Sequence, residues 1–580
     1  MPVSGPHAQG GHAQSRISRI AAAAVATSVG IAAGQSEPPE VLFPHDFADW
    51  AIHSSGLFGA TTVQQLALSQ NGWVAFNNSA WFSRSLFRRS LDGAPEILWN
   101  RTVGGDSISD TTNFGGLALK SIAIDNDGGI SWLDALLDQR MLGAPVVFGD
   151  QSVAPNAQAP FQAEVPRCIK RNDDQIDVTP FRRVGNTHFS AAFFEECDEP
   201  LSDTRIGFVV GDFPNFDIIS VGVDTFPHWR TGYPRAHMNY RGDIATSYDA
   251  YEYPAHYQLG TLEEPLQTVG RTNGVPDVPG SPSGRPILGS GGTLFAPQGV
   301  PPTAVSGTAD GVVMFRLGEP TQSARISDLL DDGRNLQIRS TSQLGVGRLS
   351  PGPFDTAIAC RSAIVDIPGE PTAYIELAIG NIGGTGPAQI LLESGDILTT
   401  GLGDYIFEFP SGLSKQFPAS TNAAAQTAIV IPLKATQAVL DAGHPREIDA
   451  VGVIQPDGSI IVPGIGEPAS QPGFPDRTIT GARLVGWDLL NDAGDLVAFG
   501  FMTPPTDPGQ QVGGALVKFR IAGPDLDRSG SPNYLDMVEF LDRIDQADPI
   551  CETNGDGVID GGDIETYSVI IAAAIYAYDL

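Results

Sequence analysis

The chain has 580 residues, 41% of them hydrophobic and 17% charged, with a formal net charge of −33. So large an acidic excess excludes a generic nucleic-acid binder and argues against docking on an anionic membrane surface. Its 67 Gly and 45 Pro, about a fifth of the chain, exceed the usual share without reaching low-complexity disorder, and they favour a turn-dense, mainly β fold.

At the N-terminus, Arg16 and Arg19 precede a short apolar run over residues 20–33 that ends in small residues. A basic lead, an apolar stretch of this length and a small-residue exit predict a secretory signal peptide over residues 1–34, cut near Ala33 or Gly34. No other stretch approaches the roughly 18 apolar residues of a membrane helix. The mature protein is therefore expected to be secreted or at the cell surface, with no stable membrane span after signal cleavage. Four cysteines, Cys168, Cys197, Cys360 and Cys551, form no C-x-x-C pair. In an exported protein Cys168 and Cys197 lie close enough in sequence for a disulfide, while Cys360 and Cys551 could equally be free.

Residues 46–522 repeat. The clearest units are Ser69-Gln-Asn-Gly72-Trp-Val-Ala75-Phe76, Asp125-Asn-Asp-Gly128-Gly-Ile-Ser131-Trp132, Asn239-Tyr-Arg-Gly242-Asp-Ile-Ala245-Thr246 and Asn491-Asp-Ala-Gly494-Asp-Leu-Val-Ala498-Phe499. Each reads as a turn, with Asn, Asp or Ser first and Gly fourth, that opens into a strand. Gly72, Gly128 and Gly242 stand one and then two steps of about 57 residues apart, with a degenerate copy at Val184–Phe189 between the last two. A β-rich period of that length suits a propeller blade of about four strands, and the strong and weak copies together make roughly seven or eight units. The expected body is a propeller-like repeat domain, with a stacked β-solenoid as the alternative. Trp73, Trp132 and Trp487 fall at repeat positions and are expected in the inter-blade core. Short helices are expected at Ala435–Asp441 and Ser131–Arg140.

Catalytic constellations are scarce in the body. There is no H-E-x-x-H and no G-x-S-x-G, and the carboxylates are too numerous for any pair to stand out as a glycosidase acid and base. Gly380-Asn-Ile-Gly383-Gly384-Thr-Gly386 lacks the lysine of a phosphate loop and reads as a hairpin turn. Arg241-Gly242-Asp243 spells an adhesion tripeptide, but its glycine is already accounted for by the repeat.

The tail, residues 523–580, differs. Asp525 to Asp536 and Glu552 to Asp563 are two twelve-residue loops with oxygen side chains at positions 1, 3, 5, 9 and 12 and glycine at position 6. A hard cation takes six to eight oxygens, and the sharp central turn requires the glycine, so the spacing predicts two calcium sites. In the first, the expected ligands are Asp525, Asp527, Ser529, the Ser531 carbonyl and Asp536, with Asn533 acting through water. In the second they are Glu552, Asn554, Asp556, the Val558 carbonyl and Asp563, with Asp560 in the water-bridging place. Ser529 removes a charge at position 5, so the first loop is expected to be the weaker. Met537, Phe540, Leu541 and Ile544 recur at helical spacing after the first loop, as do Ile564, Tyr567, Ile570, Ile571 and Ala574 after the second.

Paired short loops ending in Asp, each followed by one helix, resemble the dockerin type I family. That resemblance implies a small EF-hand-loop module, folded by calcium, that binds a cohesin-like partner or serves as a surface-sorting tag. The Asn-x-x-Gly-x-x-Ala-Phe signature of the body resembles a tandem-repeat family of exported bacterial proteins carrying varied C-terminal anchors. Together they imply a non-catalytic binding or structural protein held by its tail, with a carbohydrate or protein ligand for the body. The alternative expectation is a secreted polysaccharide-active hydrolase with its catalytic groups in a propeller mouth.

Overall fold

The computed structural model describes residues 39–42, the strands and adjoining short turns between 62 and 380, and residues 389–408, 419–469, 477–484, 489–503 and 514–579. Residues 1–34, expected to be a signal peptide, lie outside the described residues, as do Cys168, Trp487 and the repeat turns at Asp125 and Asn239. The fold is mainly β. Nine antiparallel sheets follow one another in chain order among the described residues, with three α-helices, all C-terminal to residue 436. The helices are α1 (Gln437–Asp441), α2 (Tyr534–Asp545) and α3 (Gly561–Asp579).

The first sheet is a meander of Thr62–Leu68, Val74–Ser79, Ser83–Arg89 and Glu96–Thr102. The sheets built on Thr231–Arg271, Ile287–Arg325 and Leu336–Glu393 have the same four-stranded plan. Neighbours in sequence lie against each other. Thr62–Leu68 packs on Leu119–Ile124, Ile287–Leu288 on Leu336–Gly347, and Glu447–Ile454 on Arg477–Arg483. The N-terminal strand Glu40–Val41 joins the last sheet beside Gly514–Arg520, with an ion pair of 2.6 Å between Lys518 and Glu40.

Three turns among the described residues, at Ser69, Asn422 and Asn491, have one hydrogen-bond plan. In each, the first residue's side-chain oxygen accepts from the backbone N–H of the fifth: Ser69 from Trp73 at 2.9 Å, Asn422 from Gln426 at 3.2 Å and Asn491 from Asp495 at 2.8 Å. The fourth residue's N–H donates to the first residue's carbonyl in all three, and the fourth residue adopts a left-handed conformation in Gly72, Ala425 and Gly494. Glycine suits that position because it has no Cβ to clash. At Gly494 a Cβ would also collide with the Ile521 carbonyl. The segment Asn422-Ala-Ala-Ala425-Gln426 is a further copy that the sequence signature hides, because Ala replaces Gly.

The turns are also bonded to each other. Asn422 Nδ2 donates to the Asn491 carbonyl at 3.3 Å, and Asn491 Nδ2 donates to the carbonyls of Ser69 at 3.0 Å and Gln70 at 3.2 Å. One position further on, the Ala423 N–H donates to Asp492 Oδ1 at 2.8 Å and the Asp492 N–H donates to Gln70 Oε1 at 2.8 Å. The last sheet thus meets the first across more than 400 residues of chain. Leu66, Leu68 and Val74 of the first sheet share a hydrophobic core with Ile429, Val451, Leu496 and Val517 of the last two.

Two local expectations are corrected. Ser131–Arg140 does not begin a helix: Ile130–Asp134 is a strand paired with Leu119–Ile124, as β-preferring Ile130 and Trp132 and a hairpin partner allow. Trp73 is half-buried rather than a core residue. The helix expected at Ala435–Asp441 forms over its later part, as α1.

Asn491 is buried, so Asn491→Ala removes the amide donor that bridges to the Ser69 and Gln70 carbonyls and loosens its own turn. Urea unfolding of the full chain should show a loss of about 2–4 kcal/mol. A loss below about 0.5 kcal/mol would contradict the closing role given to this side chain.

Candidate metal centre

The two tail loops share a backbone. Position 6 is left-handed in both, at Gly530 (φ 87°) and Gly557 (φ 79°), and so is position 4, at Arg528 (φ 58°) and Gly555 (φ 82°). The position-1 carboxylate accepts from the position-6 N–H in each: Asp525 from Gly530 at 3.0 Å and Glu552 from Gly557 at 3.4 Å. At position 3, Asp527 Oδ1 accepts from the Ser529 N–H and Asn554 Oδ1 from the Asp556 N–H, both at 2.9 Å. The position-12 aspartates close the loops and cap the helices. Asp536 Oδ2 accepts from the Asn533 N–H and Asp563 Oδ2 from the Asp560 N–H, each at 2.8 Å. Asn533 and Asp536 form a reciprocal capping box that starts α2, and Asp560 Oδ1 takes the Gly562 N–H at the start of α3. Loop closure and helix initiation are therefore one structural event.

In the first loop, one oxygen each from Asp525, Asp527 and Asp536 lies within 4.8 Å of the others. Ligand oxygens on opposite sides of a calcium ion are about 5 Å apart, so this spacing fits one hard cation. Ser529 Oγ lies 3.3 Å from Asp525 Oδ1 and 3.3 Å from the Ser531 carbonyl, and Asn533 Nδ2 donates to that carbonyl at 2.8 Å. The three carboxylates, the Ser529 hydroxyl and the Ser531 carbonyl are thus near neighbours, whereas the Asn533 side-chain oxygen accepts from the Leu535 N–H at 2.9 Å and caps α2. In the second loop Glu552 folds back onto the Gly555 N–H at 2.6 Å, Asp563 Oδ1 accepts from the Thr553 N–H at 2.6 Å, and Asp556 pairs with Asn554. The Val558 side chain is exposed, and its N–H donates to Asp556 Oδ1. Among the described residues, the group of three carboxylates that could hold a metal is in the first loop, although the charge count expects the second to be stronger.

Burial explains the electrostatics. The Asp525 carboxyl is pushed up to about 6 by burial and by the charges of Asp536 and Asp492. Burial likewise raises Asp536 to about 6, and it raises Glu552 and Asp563, with the Asp563 charge adding to the effect on Glu552. Asp527, near the surface, is held below the usual range by hydrogen bonds from Ser529, which outweigh its slight burial. The only basic residue of the two loops turns away from them. Arg528 makes a two-pronged bond to Asp495 of the last sheet, at 3.0 and 2.8 Å. The first-loop carboxylates are thus crowded, and the one basic residue of their loop is engaged by Asp495, the condition under which a dication stabilises a loop.

Behind the loops, Phe540 of α2 and Tyr567 of α3 stack with ring centroids 3.8 Å apart, in a core with Leu526, Ile550, Cys551, Ile570 and Ala574. Ala424 of the repeat body belongs to the same core. Cys551 is a free, buried thiol, pushed up to about 12 by burial, and so is inert packing rather than a ligand. The expected loops and helices are thus placed. The sequence reading missed Arg528 as the partner of Asp495, and no local signal marks it.

No known family model matches the chain, and no curated protein matches it. Solved structures similar to it include an alpha-L-arabinanase from Penicillium chrysogenum, at 10% identity and a TM-score of 0.26, covering 84% of this chain and 98% of that one. Also similar are the beta-propeller domain of the Trilobed protease from Pyrococcus furiosus (7% identity, TM-score 0.27, 79% and 96% covered) and the Aleuria aurantia lectin (11%, 0.21, 57% and 94%). Likenesses at such scores carry no argument about activity.

Raised carboxylates set a pH dependence. Between about pH 4 and pH 6 the folded, ion-free tail holds more protons on Asp525 and Asp536 than the unfolded chain does, so its stability falls as pH rises through that window. In chelator, the melting of the helical signal at 222 nm should occur at a higher temperature at pH 5 than at pH 7.5. Excess calcium should remove or reverse that difference. An ion-free tail equally or less stable at pH 5 would refute the crowding described here.

Proposed function

We infer that this chain is an exported, non-catalytic binding or structural protein whose propeller-like repeat body carries a calcium-binding, dockerin-like tail. The observation that carries the reading is the convergence of Asp525, Asp527 and Asp536 within a loop whose backbone is repeated in Glu552–Asp563. Calcium at the first loop would be held by Asp525, Asp527, Ser529, the Ser531 carbonyl and Asp536, with Asn533 bridging through water. At the second it would be held by Glu552, Asn554, Asp556, the Val558 carbonyl and Asp563, with Asp560 bridging. The ion would supply the positive charge that the buried carboxylates lack and would fix the start of each helix.

A closed, propeller-like ring is favoured over a solenoid by the meeting of Asn491 and Asp492 with Ser69 and Gln70. A stacked solenoid keeps its first and last rungs at opposite ends. Sheets opening at Thr62, Leu119, Ala192, Thr231, Ile287, Leu336, Ile397 and Pro468 support eight blades, if the hairpin Arg182–Phe189 belongs with the third. A cohesin-like or surface-sorting partner is supported by the exposed apolar side chains Tyr534, Leu535 and Val538 on α2. The body would take a carbohydrate or protein ligand.

Calorimetric titration of the full chain should show calcium binding that Asp536→Asn removes from the first loop and Glu552→Gln weakens at the second. Absence of heat, with unchanged circular dichroism, would sink the calcium reading. A glycan array probed with the full chain, run beside a polysaccharide-hydrolysis assay, should give binding without turnover. Sustained release of reducing sugar would replace the non-catalytic reading with a hydrolase.

A further inference from the structure

The tail does not hang from the body. The Asp525 N–H donates to the Asp492 carbonyl at 2.8 Å and the Ile521 N–H to the Gly494 carbonyl at 3.0 Å, so the chain passes from the strand Gly514–Arg520 into the first loop bonded along the last repeat turn. Gln426 Nε2 holds the Ala522 carbonyl at 2.9 Å, and Tyr567 Oη of α3 donates to the Gly523 carbonyl at 3.0 Å. Further along, Thr566 Oγ1 donates to Asp457 Oδ2 at 2.7 Å, and Gly555 lies so close to the Ile460 carbonyl that a Cβ would not fit. Both loops and α3 therefore rest on the sheets that close the body.

Within this contact one chain of bonds runs from the first loop to the first sheet. Arg528, at loop position 4, grips Asp495 by both carboxylate oxygens, and that carboxylate is fully buried. Asp495 Oδ2 accepts from Asn491 Nδ2 at 3.2 Å, and the same amide nitrogen reaches the carbonyls of Ser69 and Gln70. Arg528 is left-handed, a conformation that a non-glycine residue keeps only while the surrounding loop is folded. Folding the loop around an ion would fix that backbone and set the guanidinium on Asp495. An unfolded loop would take the guanidinium from the buried Asp495 carboxylate and leave it to the Asn491 amide and the more distant charge of Lys518, which is unfavourable.

We propose that the tail is a brace held against its own body across the junction of the last and first sheets, and that calcium at the first loop tightens this junction through Arg528, Asp495 and Asn491. The inference rests on the calcium reading of the first loop. It goes beyond that reading, because it makes the ion a determinant of how firmly the body is closed as well as of how the tail folds. The α2 side chains Tyr534, Leu535 and Val538 take no part in this contact and stay exposed while the brace is in place.

Hydrogen exchange of the full chain, with and without calcium, tests it. The amides of Gly72 and Trp73 are bonded to Ser69 and lie in the turn between the first two strands of the first sheet, far from the loops in sequence. Calcium should slow their exchange by roughly 5- to 150-fold, the usual span of coupling between sites. Arg528→Ala should still bind calcium at the first loop by calorimetry but lose the slowing, and Arg528→Lys should retain part of it. Calcium binding with unchanged exchange at Gly72 and Trp73 in the unmutated chain would overturn the brace while leaving the calcium reading intact. The same holds if Arg528→Ala keeps the full slowing. No calcium binding at all would overturn both. If the alanine variant folds poorly, the exchange of the unmutated chain with and without calcium still decides the matter.

Discussion

The side-chain amide of Asn491 is the constraint on which the rest of the structure depends. Its oxygen holds its own turn closed through the Asp495 N–H, and its nitrogen bonds the first sheet at Ser69 and Gln70. An amide suits this place because it combines an acceptor and two donors on one short side chain. Aspartate would keep the turn but lose the donor. At Ser69 the hydroxyl satisfies its own turn alone, so the bond between Asn491 and Ser69 is made from the Asn491 side. The value of the bond lies in where it falls, since it joins segments that no local structure could bring together, across a core that contains Leu66, Val74, Leu496 and Val517.

This explains what the sequence makes legible. The turn plan can be read directly, because a first residue with a side-chain oxygen and a fourth residue with φ above zero restrict composition to Ser, Asn or Asp and then Gly. The copy at Asn422 escapes that reading because Ala425 takes the left-handed conformation, which a Gly-based signature cannot anticipate. The bonds between turns are not legible at all: Gln70 and Asp492 look like ordinary polar turn residues until the fold sets them side by side. Periodicity also misled at Ser131–Arg140, where a short apolar run suits either helix or strand and the hairpin partner at Leu119–Ile124 decides.

The tail divides in the same way. Twelve-residue oxygen spacing and the apolar periods after it locate both loops, α2 and α3, since ligand geometry and helix burial each impose a spacing on the chain. Counting charges would favour the second loop, yet geometry gathers the carboxylates in the first. The longer Glu552 side chain curls onto its own loop's N–H groups, whereas Asp525, Asp527 and Asp536 are short enough to face one another. Arg528 was legible only as a surface charge. Its importance comes from a buried carboxylate in another sheet, whose pKa it lowers against the opposing effect of burial.

The acidic first loop, a buried ion pair and a repeat-turn amide therefore form one connected polar network where the last sheet meets the first. The most direct measurement of that connection is a double-mutant cycle between Arg528→Ala and Asn491→Ala in the calcium-loaded full chain, read by urea unfolding. The two side chains share Asp495, so a coupling energy of about 0.5–3 kcal/mol is predicted. Effects that add to within about 0.3 kcal/mol would contradict the account, because the tail and the closure would then be energetically separate.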